Sequence, residues 1–180
     1  QRSGGHLNPA VTVAFWVKGQ VTTIDALAYV VAQMLGAVLG VWVIAMVGGA
    51  AAQSVQLGIT LPGGAYSAGV ALIAEFVITF ALMFTILYCV NEPRQAARTP
   101  YFAGLLVALL VFVEAPISGT SLNPARSFAP ALLTTVFDHF WLYVVGPIAG
   151  AVLAVFVYGR TFGAHGRAGC AKLFHTERYR

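Results

Sequence analysis

SGGHLNPA at Ser3–Ala10 and SGTSLNPA at Ser118–Ala125 are two copies of one motif. In each copy an asparagine stands where a helix is capped and a proline takes the first helical position, so each reads as a helix beginning. Around them the chain consists mostly of apolar runs long enough to enter a bilayer. Glycine- and serine-rich backbone at membrane depth is tolerated only where protein buries it or where it lines a watery cavity. The pattern predicts a pore.

Composition supports a membrane protein. Of the 180 residues, 59% are hydrophobic and only 9% charged, and Ala26 to Ala74 contains no Asp, Glu, Lys or Arg. A soluble domain of this length carries far more charge. The formal net charge of +4 comes from basic residues lying between and after the apolar runs, which points to neither nucleic acid nor an acidic substrate. Two cysteines, Cys89 and Cys170, form no disulfide framework and no metal-ligand spacing. The chain opens at Gln1 with no cleavable signal pattern, and a truncated N-terminus is expected.

A helix needs ~20 apolar residues to cross the hydrocarbon core. Four stretches approach that length: Ala26–Val47, Gly69–Val90, Tyr101–Ile117 and Phe140–Tyr158. The runs after the two motifs, Ala10–Val17 and Ala125–Val136, are too short to span and read as half-helices. Basic residues set the orientation. Arg94 and Arg98 follow the second span and Arg160, Arg167, Lys172, Arg178 and Arg180 follow the fourth, whereas Gly48–Ala68 carries none. The positive-inside rule therefore places the 91–100 loop and the C-terminus in the cytoplasm.

The repeat extends past the motif. Gly36–Val43 (GAVLGVWV) recurs as Gly150–Val157 (GAVLAVFV), each at nearly the same offset from its own Asn-Pro-Ala. Three full spans separate the motifs, an odd number, so the second half-helix enters from the opposite face. The fold class expected is an all-α membrane bundle with an inverted repeat, four full transmembrane helices and two re-entrant half-helices. Symmetry predicts two further spans ahead of the first motif.

The residues Ser3–Thr12 and Ser118–Ser127 resemble the aquaporins, the major intrinsic protein family of water and small-solute channels. The resemblance covers residues 1 to about 160 as one channel domain and leaves 161–180 as a basic cytoplasmic tail carrying Phe174 and Tyr179. It implies a right-handed bundle, a pore in each subunit of a homotetramer, a cell-membrane location, no cofactor and no enzymatic activity. The partners it implies are the lipid bilayer, water and small neutral solutes. It also assigns Asn8, Pro9, Ala10, Asn123, Pro124 and Ala125 to the pore midplane. There the positive ends of two helix dipoles meet and the asparagine amides orient a water, breaking the chain along which a proton would hop. By spacing from the second motif, Val111, Thr120 and Arg126 take three of the four selectivity-filter positions, the fourth falling on a span outside this sequence. Backbone carbonyls of Gly4, Gly5, His6, Gly119 and Ser121 would complete a ladder of acceptors.

Several positions refine the expected solute. Water-selective members carry histidine where this chain has Val111, so its filter is expected to be wider. Thr120, Ser127, Ala131 and Tyr143 look like the water branch, while Val144 stands where that branch has tryptophan. Arg126 opposes its own helix dipole, and either forms the filter wall or snorkels to the headgroups. His6 is either a pH sensor or a packed loop residue. Glu75, an intramembrane carboxylate, is expected to brace a re-entrant loop rather than transfer protons. Glu114 is left between the external vestibule and an interface. Gly36-x-x-x-Gly40 and Gly146-x-x-x-Gly150 allow close helix contact with partners left open. Three functions compete: a water channel, a facilitator of glycerol, urea, ammonia, peroxide or metalloid acids, and a non-conducting interaction protein.

Overall fold

The computed structural model describes residues 4–163. Ser3 of the first motif and nearly all of the predicted tail, including Phe174 and Tyr179, lie outside them. The described residues form six α-helices: α1 (Pro9–Val17), α2 (Thr23–Ser54), α3 (Ala68–Asn91), α4 (Thr99–Ser118), α5 (Pro124–Thr134) and α6 (Leu142–Phe162). No strand occurs among them. Four, α2, α3, α4 and α6, are long and apolar enough to cross a membrane. The short pair, α1 and α5, have nine and eleven residues. At ~1.5 Å per residue each reaches about halfway through a ~30 Å hydrocarbon core.

Boundaries follow local chemistry. Asn8 and Asn123 cap α1 and α5 with proline next, Thr22 caps α2 and Ser67 caps α3. Gly119 ends α4 in the left-handed region at φ 83°, where a side chain would also press on the backbone of Thr60 and Leu61. One boundary departs from expectation. The apolar stretch Ala26–Val47 predicts a span that stops before Gly48-Gly49, yet α2 continues to Ser54 with a break at Gly49 (φ 49°, ψ −129°). The following Ala-Ala-Ala-Gln segment is strong helix former and restarts the helix beyond the kink.

Packing crosses the repeat. α1 lies against α6 and α5 against α2, so each half-helix is held by the span of the opposite copy. α3 is the central post, packed along α6 and against α4. The largest cluster joins Ala10, Ala14 and Phe15 of α1 to Tyr29 of α2, Met83 and Leu87 of α3, and Ala151, Ala154 and Tyr158 of α6. A second cluster sets Ile78 and Leu82 of α3 and Leu122 against the partly buried Leu106, Val107 and Leu110 of α4.

Candidate channel site

The two asparagines are bound to one another's loops. Asn8 Oδ1 accepts from Ala10 N–H (2.8 Å), and Asn8 Nδ2 donates to the carbonyl of Leu122 (2.7 Å). Asn123 Oδ1 accepts from Ala125 N–H (3.0 Å), and Asn123 Nδ2 donates to the carbonyl of Leu7 (3.0 Å). Leu7 and Leu122 each precede the partner asparagine, so the exchange is symmetric. An amide NH₂ carries two hydrogens. One ties the loops together and the other is left for whatever lies beside them. Two helix N-termini thus abut, each with a partial positive charge of ~0.5.

The second loop, 118–123, is braced by a carboxylate. Glu75 of α3, fully buried, accepts from Ser118 Oγ (2.6 Å), Ser121 N–H (2.6 Å) and Leu122 N–H (2.8 Å). Tyr143 Oη donates to the carbonyl of Ser118 (2.6 Å). These partners satisfy backbone groups that would otherwise be stranded, because Thr120 (φ 48°) and Leu122 (φ 59°) sit in the left-handed region outside any ladder. The first loop is held by neutral groups. Gln33 of α2 donates to the carbonyl of His6 (3.0 Å) and to Thr12 Oγ1 (2.9 Å). The ring of His6 stacks between Phe15 and Tyr29, with centroids 4.9 and 4.7 Å away.

One cavity of ≈ 230 Å³ is lined by Asn8, Asn123, Val111, Thr120, Ser121, Leu122, Arg126, Leu82 and Val107. Both asparagines and all three filter candidates therefore share a single space. Among the carbonyl candidates only Ser121 lines it; Gly4, Gly5, His6 and Gly119 do not. The chain between α2 and α3 folds over its Arg126 end. The carbonyl of Gly58 accepts from Arg126 Nη1, and Thr60 Oγ1 donates to Ser127 Oγ. The hydroxyl of Thr120 donates to Glu114 Oε2, which leaves its oxygen as an acceptor on the cavity.

Sequence reasoning missed Gln33, Gly58 and the carbonyls of Leu7 and Leu122. None carries a local signal, since each acts through a residue at least 21 positions away.

Half-helices from an inverted repeat, meeting tip to tip beside a shared cavity among membrane-length spans, define a polytopic helical protein of the aquaporin fold. The description "Major intrinsic protein" belongs to the family model that matches residues 1–158. The chain belongs to that family. It is similar to aquaporin TIP4-2 of Zea mays (39% identity over 166 residues, 89% of this chain and 62% of the relative). Aquaporin TIP2-1 of Arabidopsis thaliana is 36% identical over 167 residues, with coverage of 89% and 64%. The chain thus spans less than two thirds of the length of these curated relatives. The X-ray structure of the aquaglyceroporin from Plasmodium falciparum superposes with a TM-score of 0.80 at 22% identity, covering 89% of this chain and 74% of that one.

Proposed function

We propose that this chain builds the conducting wall of a passive water channel that excludes protons and ions. The observation carrying the reading is the shared cavity, which sets Asn8, Asn123, Thr120 and Arg126 around a passage otherwise walled by Leu82, Val107 and Val111. Water at the midplane accepts from the free hydrogens of the two asparagine amides. Its own hydrogens then point away along the passage, and no continuous donor chain crosses that point. Arg126 and the two helix N-termini oppose cations. The loop with Arg94 and Arg98 and the end of α6 face the cytoplasm, and subunits assemble as homotetramers. No cofactor or bond-making chemistry enters this function.

A second reading rests on Val111. This apolar side chain, smaller than the histidine of water-selective members, lines the cavity and would leave room for a solute larger than water. Stopped-flow light scattering on proteoliposomes of the full-length channel, challenged with a glycerol gradient, separates the readings. Rapid shrinkage with reswelling no faster than in empty vesicles is the expected result. Accelerated reswelling transfers the assignment to a solute facilitator, and shrinkage no faster than in empty vesicles overturns both.

A further inference from the structure

We propose that Glu114 is a positioning residue that makes Thr120 an acceptor-only face of the filter. The inference rests on the channel reading above and concerns which chemistry that channel admits.

Glu114 lies one helical turn after Val111 on α4, so both project from the same side of that helix. Its side chain is buried (5% exposed). Oε2 accepts from Thr120 Oγ1, while Oε1 is buried without a hydrogen-bond partner among the described residues. A carboxylate that deep is costly unless something needs it. Thr120 is that something. It owns two donors, and both are committed: the hydroxyl to Glu114 and the backbone N–H to Ser118 Oγ (3.2 Å). Whatever edge of Thr120 borders the cavity can only accept. Arg126, lining the same cavity, can only donate.

The filter is therefore polarised, with acceptors on the Thr120 side and donors on the Arg126 side. A molecule satisfied by both must donate and accept at once, as water, ammonia, amides and small alcohols do. Glu114 also anchors a β-branched residue in the left-handed region (φ 48°), where few side chains rest unaided. Releasing it frees a hydroxyl donor into the filter and loosens the loop that sets the filter's width.

The test measures the ratio of urea to water permeability in proteoliposomes of the full-length channel. Glu114→Leu is expected to raise that ratio at least threefold. Glu114→Gln, whose amide oxygen still accepts from Thr120, is expected to restore the wild-type ratio. Combining Glu114→Leu with Thr120→Ala should give no more change than Thr120→Ala alone, because the two residues act through one bond. An unchanged ratio in folded Glu114→Leu, or additive effects in the double variant, overturns the proposal while wild-type water flux leaves the channel reading intact. If Glu114→Leu fails to fold, Thr120→Val takes its place: a raised ratio supports the proposal and a wild-type ratio overturns it. Wild-type vesicles with no water flux above empty ones bring down both.

Discussion

The two halves of the repeat begin from nearly the same sequence and are held in place by opposite means. In the first half, the loop before α1 is braced by the neutral amide of Gln33 and an aromatic sandwich around His6. In the second, the loop before α5 is gripped by buried Glu75, with Glu114 beside it on Thr120. The position after each Asn-Pro-Ala differs just as sharply. Val11 is buried in the apolar core, whereas Arg126 lines the cavity. A repeat thus supplies two matching backbones, and a few buried side chains decide what each one does.

The strongest way to break the comparison is to remove the carboxylate brace. Glu75→Leu strands three buried donors, Ser118 Oγ and the N–H groups of Ser121 and Leu122. At ~1–3 kcal/mol for each unsatisfied group, loss of folded protein is expected, seen as aggregation on size exclusion in detergent. Survival at wild-type yield would show that the second loop holds itself.

Gly150 and Gly36 test the spans. A methyl group on Gly150 would sit 2.2 Å from the carbonyl oxygen of Phe76 on α3, while one on Gly36 meets nothing within 4 Å. Gly150→Ala is expected to cost ~1–3 kcal/mol through overpacking. Gly36→Ala in this 180-residue chain should stay within ~0.5 kcal/mol. Thermal unfolding in detergent compares them, and equal losses would mean that the α2 face is covered as tightly as the α6 face.

Arg126→Val makes the second motif like the first. Glycerol entry is expected to rise about tenfold, equivalent to ~1.4 kcal/mol of barrier, read as vesicle reswelling. An unchanged rate would remove Arg126 from the filter. Gln33→Leu is expected to act on stability alone. It removes the donors to His6 and Thr12, worth ~1 kcal/mol each at most, and should lower the unfolding temperature by a few degrees without changing solute selectivity. A selectivity change would show that the first loop also shapes the filter.

Much of the fold was legible because its signals are local. Apolar run length marked the four spans, and Asn-Pro marked both half-helix starts to within a residue. Gly49 misled because a glycine that breaks a helix also permits a kink, and the alanines after it decide between the two. The site was legible only in part. Motif spacing singled out Asn8, Asn123, Val111, Thr120 and Arg126, which converge on one cavity. It did not disclose that the two asparagines grip each other's loops, nor that the hydroxyl of Thr120 is spoken for.

By itself the sequence determined the membrane class, the number of spanning helices and half-helices, the inversion of the repeat and the residues at the half-helix tips. Hydrophobic run length, capping and the parity of intervening spans are read along the chain, without reference to anything distant. Only the tertiary structure decided which glycine stripe is packed, which carboxylate holds which loop and which donors remain free beside the cavity. Those outcomes depend on hydrogen bonds and close contacts between residues far apart in the chain. A buried polar group takes whichever partner the fold brings within reach, and no local pattern names that partner in advance.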